Sequence, residues 1–332
     1  MLAAYIERYG GPAVLKIGDL PEPVPGPCDL LVDVAAASVN PIDFKIRDGK
    51  ARSLLPFGFP LVLGNDLSGT VRSVGAQVRR FKPGDRIVAR LGKSRIGAFA
   101  QRALVAETDA ASAPERLDLI EAAALPLAGL TAWQALFEMG QLQAGQKILI
   151  HAGAGGVGHF ALQLARWKGA RVITTASAKN RDQCLAFGAD EVIDYRNARF
   201  DELVRDVDVV LDTQGGDTLL RSIAVTRTGG HVISITAMPT PEVARAWGAR
   251  PPLTWILGWL TRRERGAARA RGVNYHYLFM RPDGNVLGDL VKLVDAGALK
   301  PTIDQRYPLR EAAAALAHVE AGHALGKVLV VP

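Results

Sequence analysis

The stretch that decides the fold is Lys147-Ile-Leu-Ile-His-Ala-Gly-Ala-Gly-Gly-Val-Gly158, an apolar run that leads into a glycine-rich turn. A helical pattern follows at once over 159–166. In such a strand–turn–helix unit, one glycine makes the tight turn, one lets the backbone approach a pyrophosphate, and one lets the helix pack on the strand. The helix N-terminus adds unpaired N–H groups. The sequence therefore predicts a dinucleotide site at Gly153, Gly155, Gly156, Val157 and Gly158.

The residues after the next apolar run indicate which dinucleotide binds. Arg171–Ala176 is predicted as the second strand, and an NAD site requires a carboxylate about 20 residues after the glycines. Ser177 stands there instead, followed by Lys179, and the first carboxylate is that of Asp182. A hydroxyl and an ammonium group would bind a 2′-phosphate through charge-assisted hydrogen bonds, whereas a carboxylate would repel it. NADPH is the expected cofactor; the alternative is that Lys179 only begins a solvated helix.

Composition is typical of a soluble enzyme with two domains. The chain has 332 residues, of which 48% are hydrophobic and 22% charged, and this length exceeds one ordinary core. Cys28 and Cys184 cannot build a disulfide framework and suggest a reducing compartment. The first residues lack the apolar core of a signal peptide, and no apolar stretch reaches the ~20 residues of a membrane span. We therefore expect a cytoplasmic protein.

The net charge of +7 raises the question of a nucleic-acid partner. Much of this charge lies in one short segment, whose arginines are opposed by a single acidic residue, Glu264. Those arginines are Arg262, Arg263, Arg265, Arg269 and Arg271. A dedicated nucleic-acid binder carries a broad basic stripe. No nucleic-acid partner is expected.

Two kinds of pattern divide the chain. Between residues 145 and 280, six apolar, β-branched runs, among them Glu191–Asp194 and Val207–Asp212, alternate with helical stretches such as Ala198–Arg205. This alternation predicts an α/β domain with a doubly wound, parallel six-stranded sheet. Residues 1–120 contain short β-like runs separated by turn signals, which predicts a twisted antiparallel barrel. The last 50 residues are expected to return to that barrel. The predicted domains are 1–122 with 284–332, and 123–283 with an insertion near 240–272.

The insertion contains an unusual segment. In it, Leu253-Thr-Trp-Ile-Leu-Gly-Trp-Leu260 precedes the arginines. A connection between two strands as long as this insertion is usually functional or mobile. A helix with tryptophans beside arginines could contact a membrane surface, anionic lipid or a second subunit through 253–271. The interpretation that we prefer from sequence is a helix that covers the active-site cleft or a dimer seam.

Six ordered motifs carry a resemblance to a known superfamily. They are Ala37-Ser-Val-Asn-Pro-Ile-Asp-Phe-Lys-Ile-Arg47, Gly64-Asn-Asp-Leu-Ser-Gly69, Phe81-Lys-Pro-Gly-Asp85, Leu130-Thr-Ala-Trp133, His151–Gly158 and Gly326-Lys-Val-Leu329. With them the chain resembles the zinc-free, zeta-crystallin-like quinone oxidoreductases of the medium-chain dehydrogenase/reductase superfamily. The resemblance implies a Rossmann domain, a GroES-like catalytic barrel, NADPH, a homodimer, and a quinone or another small conjugated carbonyl compound as substrate.

The zinc ligands of the alcohol dehydrogenase branch are missing from this chain. Where that branch has a cysteine and a histidine, the resemblance places Asn40 and Asn65, and its third ligand position, near Leu127, carries no ligand side chain. The six histidines are dispersed along the sequence without a cysteine partner. Zinc sites need clustered histidine, thiolate or carboxylate ligands. No metal is expected.

The lack of a metal favours some acceptors over others. Deprotonating an alkanol resembles deprotonating water, with a pKa of ~15.7, and a bound zinc ion supplies the shift. A quinone or enone that accepts hydride forms a phenolate- or enolate-like oxygen instead, with a pKa of ~10 on the tyrosine scale. The difference of roughly six units is about 8 kcal/mol. Hydrogen bonds and a nearby cation can meet the smaller demand. Hydride addition to a conjugated acceptor is therefore favoured over alcohol oxidation.

The resemblance also implies roles for single side chains. The candidate catalytic residues are Asn40 and Lys45. The candidate substrate-binding residues are Asn65 and Phe279, with Phe279 at the end of the sixth strand. The cofactor-binding set adds Thr131, Ser177, Lys179, Tyr195, Met280 and Lys327 to the glycine turn. Asp43 and Arg47 are expected to form a supporting pair. The alternatives are a loop asparagine satisfied by its own backbone at position 40 and an exposed lysine at position 45.

Three functions stay open on the sequence alone. The preferred one is NADPH-dependent reduction of quinones by hydride transfer without zinc. The second is NADPH-dependent reduction of the C=C bond of α,β-unsaturated ketones or aldehydes. The third is an NADPH-binding protein whose task is interaction with RNA, a membrane or a partner, and the Trp255–Arg271 segment is its only support.

Overall fold

A computed structural model of the chain describes residues 1–93 and 95–332. The strands are β1 Leu2–Ile6, β2 Leu15–Asp19, β3 Asp29–Val39, β4 Leu61–Val62, β5 Asp66–Val74, β6 Arg86–Arg90, β7 Arg102–Ala106, β8 Ala110–Ser112, β9 Lys147–Ile150, β10 Arg171–Ala176, β11 Glu191–Asp194, β12 Val207–Asp212, β13 Thr226–Ser234, β14 Asn274–Tyr277, β15 Ile303–Pro308 and β16 Lys327–Val331. The α-helices are α1 Pro41–Arg47, α2 Leu119–Ala122, α3 Pro126–Trp133, α4 Gly158–Trp167, α5 Arg181–Ala186, α6 Phe200–Leu203, α7 Gly216–Val225, α8 Pro241–Ala246, α9 Leu253–Leu260, α10 Arg262–Arg271, α11 Gly284–Asp295 and α12 Ala312–Glu320.

Residue contacts divide the chain into two compact units. The first unit consists of Met1–Leu130 together with Arg281–Pro332, and the second unit is the continuous segment Thr131–Met280. The first unit is therefore built from two separate stretches of sequence.

The second unit contains one sheet of six parallel strands, in the order β11-β10-β9-β12-β13-β14. Leu149 of β9 and Val210 of β12 are fully buried at its centre, as expected for apolar strands covered by helices on both faces. The order reverses beside β9, so the chain after β9 lies at the switch point where such sheets bind ligands. The predicted doubly wound Rossmann sheet is confirmed.

Two elements of this unit are shorter than predicted. The helix expected over 198–205 is a single turn, α6, because the chain becomes extended at Val204 and Asp206 adopts a φ of +53° before β12 begins. The sixth strand, β14, ends at Tyr277, so Phe279 lies beyond the strand and not at its end.

The first unit is built mainly of antiparallel sheets. Seven strands form one sheet in the order β15-β16-β3-β5-β6-β8, with β7 paired to β3, and a second sheet has the order β2-β1-β4. Only the β15–β16 pair is parallel among the pairs found in this unit's described residues. Leu67 and Phe99 are fully buried in a core that α12 also covers with Leu316. This antiparallel-rich architecture agrees with the predicted GroES-like domain.

Candidate functional site

The predicted dinucleotide turn lies between β9 and α4. A Cβ added at Gly153 would lie 2.3 Å from a threonine hydroxyl of β10, and one added at Gly158 would lie 2.2 Å from the Ala152 carbonyl oxygen. At Gly155 the only close neighbour of an added Cβ is that same oxygen, at 3.2 Å, and the turn is partly exposed there. The turn therefore has a tightly packed inner side and an open backbone on its outer side. This is the shape that a pyrophosphate requires, so the turn fits a dinucleotide.

The residues predicted to bind the adenosine part of the cofactor lie at the ends of neighbouring strands. β10 pairs with β9 on one side and with β11 on the other. Ala176 and Asp194 are register partners at the ends of β10 and β11, so Ser177 and Tyr195 follow them at one edge of the sheet. Ser177 is buried, whereas Lys179 and the Tyr195 ring are exposed. Carboxyl ends of parallel strands thus bring together residues that are distant in sequence.

His151 opens the glycine turn and is a residue that the sequence analysis did not assign. Its Nδ1 lies 3.1 Å from Thr175 Oγ1 and its Nε2 lies 2.9 Å from Ser222 Oγ. The Ser222 hydroxyl donates to the Thr218 carbonyl at 2.8 Å, so it accepts from Nε2–H, and Nδ1 accepts from Thr175. The Ala152 N–H donates to the same threonine oxygen at 3.3 Å. Burial lowers the pKa of His151 to about 4, so a neutral imidazole connects the turn to α7.

Asp212, at the carboxyl end of β12, is a second unassigned residue near the switch point. It is fully buried. Its Oδ1 accepts hydrogen bonds from the backbone N–H groups of Gln214 and Gly215, both at 3.0 Å, and its Oδ2 accepts one from the Ser234 hydroxyl at 2.6 Å. The carboxylate thereby orders the loop after β12. In the sequence, the signal that could have identified Asp212 was a carboxylate at the end of an apolar strand.

Three other predicted residues belong to the second unit. Thr131 is buried on α3 and Met280 is buried after β14. The Phe279 ring packs edge-on against Trp247, with 3.8 Å between ring centroids. Contact of these three residues with a cofactor or substrate stays a prediction.

A buried polar network surrounds Asn40 in the first unit. The Asn40 side-chain N–H groups donate to the Ser38 carbonyl at 3.0 Å and to Asp66 Oδ1 at 2.9 Å. Its Oδ1 accepts a hydrogen bond from Lys327 Nζ at 2.5 Å. Asn40 is 2% exposed and Lys327 is 3% exposed. The amide is therefore held in one orientation by Asp66 and Lys327 on neighbouring strands as well as by the local backbone.

Two fully buried carboxyl groups belong to this network. Asp66 accepts hydrogen bonds from Asn40, from a serine hydroxyl of β3 and from a backbone N–H at the start of α3. Asp43 accepts them from the Asn40 N–H at 2.7 Å and from Asn65 Nδ2 at 2.6 Å. Burial raises the pKa of both groups, that of Asp43 to about 7. Asp66 has more donors and is attracted by Lys327, which opposes part of the effect of its burial.

Two buried cations balance these carboxyl groups. Lys327 Nζ also donates to the Val39 carbonyl at 3.3 Å, and burial lowers its pKa against the attraction of Asp66 and Asp43. Arg90 is 3% exposed, and its Nε has no hydrogen-bond partner among residues 1–93 and 95–332. The resemblance predicts that Lys327 contacts the cofactor. The structure gives its ammonium group partners inside the first unit, and a cofactor contact stays a prediction.

Helix α1 places the remaining candidates of this motif differently from expectation. Lys45 is partly buried, and burial lowers its pKa. The predicted Asp43–Arg47 pair is wrong. Asp43 turns back to the N-terminus of α1, whereas the Arg47 guanidinium pairs with Asp48 at 2.7 Å and with Glu320 at 3.1 Å. Arg47 therefore joins α1 to α12 and does not support Asp43.

The raised pKa of Asp43 predicts a pH-dependent stability. The folded state holds the Asp43 proton more tightly than the unfolded chain does. The stability that this proton contributes is therefore complete below the ordinary pKa of 3.8 and is lost as the pH rises through about 7. For one group the free energy of unfolding would fall by at most about 1.4 kcal/mol per pH unit across that range. Urea unfolding of the wild type and Asp43→Asn at about pH 5 and about pH 8 measures this effect. The variant should lose less stability on going to the higher pH, and equal losses would contradict the assignment.

The histidines are not all separate in space, in contrast to their dispersal in the sequence. His231 Nδ1 and His276 Nε2 lie 3.2 Å apart on the neighbouring strands β13 and β14, with ring planes 7° apart. One imidazole donates to the other across these strands. His276 also lines a cavity of about 510 Å³ with Arg265 and Tyr275, and this cavity contains none of the predicted site residues.

Comparison with known proteins connects both units to one superfamily. The family model described as alcohol dehydrogenase GroES-like domain matches residues 26–115, and the model described as zinc-binding dehydrogenase matches residues 187–330. The chloroplastic quinone-oxidoreductase homolog of Spinacia oleracea is 34% identical over 97% of this chain and 95% of its own. The chain belongs to the quinone oxidoreductase family of medium-chain dehydrogenases/reductases.

Two further relatives of this family carry informative names. The Escherichia coli quinone oxidoreductase, solved in complex with NADPH, superposes with a TM-score of 0.84 at 27% identity over all of both chains. The chloroplastic NADPH-dependent alkenal/one oxidoreductase of Arabidopsis thaliana is 31% identical over 100% of this chain and 80% of its own. Within the quinone oxidoreductase family, one fold therefore serves proteins named for different acceptors.

The family model that matches residues 187–330 is described as zinc-binding, but the described part of this chain shows no matching set of zinc ligands. Residues 1–93 and 95–332 contain no group of three or more histidine, cysteine, aspartate or glutamate residues arranged to hold a metal ion. At the positions that the resemblance equates with zinc ligands, Asn40 and Asn65 present amides that hydrogen-bond to Asp66 and Asp43.

Proposed function

We propose that this protein is an NADPH-dependent oxidoreductase that reduces quinones without zinc. The choice of NADPH is supported by the positions of Ser177, Lys179 and Tyr195, which follow the ends of β10 and β11 beside the glycine turn. A hydroxyl, an ammonium group and an aromatic ring there suit a phosphorylated ribose. The NADPH complex of the Escherichia coli relative supports the same choice.

The acidic groups near this edge lie away from the position where an NAD site has its carboxylate. Asp194, at the end of β11, has both oxygens engaged. Its Oδ1 accepts from the Arg196 N–H at 3.1 Å and its Oδ2 accepts from Asn197 Nδ2 at 2.6 Å. Asp182 follows one residue after α5 begins, beyond Lys179. Neither carboxylate occupies the position directly after β10, where an NAD site requires one.

Zinc independence rests on the chemistry of the Asn40 network. Amide side chains are poor zinc ligands, and both amides here are held by buried carboxyl groups. The Lys327 ammonium group lies inside the network, bonded to Asn40, and supplies a positive charge within the first unit. A chain with this donor set needs an acceptor whose reduction requires no Lewis acid.

Different residues of the chain would bind the cofactor and stabilise the developing oxyanion in such a reduction. When bound, NADPH supplies the hydride. The glycine turn and the β10–β11 edge bind and orient the cofactor, which accounts for much of the rate enhancement in hydride transfer. Asn40, fixed by Lys327 and Asp66, presents a rigid amide, and the partly buried Lys45 is the candidate cation or proton donor for the developing oxyanion.

Replacing Lys179 tests the cofactor assignment. Lys179→Ala should raise the KM for NADPH about 10- to 100-fold, the size of one lost charge-assisted hydrogen bond of about 1.5–3 kcal/mol. The KM for NADH should change little. Lys292→Ala, which removes a lysine that is 79% exposed on α11, is the control. An unchanged preference of Lys179→Ala for NADPH would remove Lys179 from the site, and wild-type protein that binds both dinucleotides equally would refute the cofactor choice.

Reduction of a C=C bond is the second candidate, because a relative named for alkenals and alkenones matches the whole chain. The two activities are separated by their products. A 1,4-naphthoquinone should yield the hydroquinone, whereas an α,β-unsaturated ketone should yield the saturated ketone. The proposal predicts a higher kcat/KM for the quinone with NADPH, and the reverse order would establish the second candidate.

A further inference from the structure

The exposed apolar side chains of the second unit concentrate on one short helix. On α9 they are Trp255, Ile256, Trp259 and Leu260. Trp255 is 72% exposed and Trp259 is 62% exposed, while Leu257 on the other side of the helix is buried. At 100° per residue the four exposed side chains lie within one arc of the helix surface. Two neighbouring tryptophans that project into solvent are unusual, because such rings normally bury most of their area.

The next helix adds a strong positive charge beside this apolar face. Five of the ten residues of α10 are arginine, and its single acidic residue, Glu264, has its Oε2 buried. The Arg262 guanidinium lies 4.1 Å from the centroid of the Trp259 ring, so the cationic and aromatic groups are continuous. Arg263 is 73% exposed even though it pairs with Asp217 at 3.6 Å. Arg265 is less exposed and pairs with Glu242 at 3.3 Å. We call the four apolar residues of α9 and the other four arginines of α10 the Trp–Arg surface.

The charge of the Trp–Arg surface limits what can cover it. A symmetric contact between two copies would place the same patch against itself and bring the arginines of α10 opposite one another. An anionic surface is the complementary partner. Tryptophan prefers the headgroup level of a bilayer, where one part of the ring is apolar and its N–H stays hydrated.

The surface is suited to lying on a bilayer and not to crossing one. None of the helices in the described part of the chain is long and apolar enough to span a membrane. α9 has only eight residues, and its apolar face is directly followed by arginines. We propose that the Trp–Arg surface binds the headgroup region of an anionic lipid bilayer, with α9 inserting its tryptophans and α10 contacting the lipid phosphates. From sequence, the preferred interpretation was a helix that covers the active-site cleft or a dimer seam; the arginines beside the exposed rings are the observation that favours an anionic surface instead.

Vesicle sedimentation tests the proposal with the intact protein. The wild type should sediment with vesicles of mixed phosphatidylglycerol and phosphatidylcholine at low salt, and high salt should weaken the binding because surface charges are screened. Vesicles of phosphatidylcholine alone should bind at least about tenfold more weakly. Trp255→Ser/Trp259→Ser and, separately, Arg263→Glu/Arg271→Glu should each lower the affinity for the anionic vesicles about tenfold or more.

Leu203→Ser is the matched control, because it removes an apolar side chain that is 61% exposed elsewhere in the second unit. It should bind the anionic vesicles like the wild type. Circular dichroism of each variant establishes that the fold is intact. Wild-type protein that ignores anionic vesicles, or tryptophan and arginine variants that bind as well as the wild type, would overturn the proposal. A fall in solution mass of the tryptophan variant, measured by light scattering, would identify the surface as a contact between copies and would also overturn it.

Discussion

Lys327→Met is expected to lower the free energy of unfolding by about 3 kcal/mol, because it removes a buried charged donor and leaves the Asn40 amide oxygen without that hydrogen bond. The ammonium group is buried, bonds to Asn40 and is attracted by Asp66 and Asp43. Methionine fills a similar volume but leaves these carboxyl groups with Arg90 as their remaining buried cation. Urea unfolding monitored by fluorescence measures the loss.

The control for this prediction is Lys292→Met in the same unit. That lysine is 79% exposed and pairs with Asp289 at the surface, so its loss should change stability by less than about 0.5 kcal/mol. Lys327→Met/Asp66→Asn should recover part of the loss, because it removes a negative charge together with its partner. A loss below about 1 kcal/mol for Lys327→Met would show that the lysine is not charged in the folded protein. A separate fall in NADPH affinity would support the cofactor contact that the resemblance predicts for Lys327.

The second large effect is expected at the glycine turn. A Cβ at Gly158 would lie 2.2 Å from the Ala152 carbonyl oxygen and 2.8 Å from the Gly153 Cα, and backbone atoms cannot move aside as a side chain can. Gly158→Ala should therefore open the turn, reduce NADPH affinity by about 100-fold or more, which is about 3 kcal/mol, and lower Tm. Fluorescence titration with NADPH and a thermal scan give both values.

Gly155 separates the packing role of the turn from its binding role. A Cβ there meets only the Ala152 oxygen, at 3.2 Å, so Gly155→Ala should keep the wild-type Tm. It should still weaken NADPH binding about tenfold, because the added methyl group occupies the side that a pyrophosphate approaches. Gly288→Ala on α11, where nothing lies within 4 Å of an added Cβ, should bind NADPH normally. Full affinity in Gly155→Ala would place the pyrophosphate elsewhere.

The fold could be predicted from sequence because its patterns are local. Alternating apolar runs and helical stretches between 145 and 280 specify a parallel sheet, and the observed strands β9 to β12 begin and end at the predicted residues or within one of them. The errors arose where a local conformation ended an element early, as at Asp206 with its φ of +53°. Left-handed conformations are uncommon for residues other than glycine, and an aspartate is only a weak sequence signal for one.

The placement of the candidate site residues was predicted in part. The glycine turn, Ser177 and Tyr195 could be placed at strand ends because each follows a recognisable strand. The pairing of Lys327 with Asn40 could not be derived by pattern, since 287 residues separate the two side chains. His151 was missed for another reason. Its place in the turn depends on two hydroxyl partners, Thr175 and Ser222, whose distances only the folded chain defines.

The insertion of the second unit within the first has a consequence for biosynthesis. Thr131–Met280 is one uninterrupted stretch, so its sheet can form while the ribosome is still translating the remainder. The first unit must wait, because β3 pairs with β16, whose residues come nearly 290 positions later. Once folded, the middle of the chain shortens the effective loop between these strands and reduces the entropy lost when they meet. Defects in nucleotide-domain folding should therefore also delay maturation of the distant Asn40–Lys327 network.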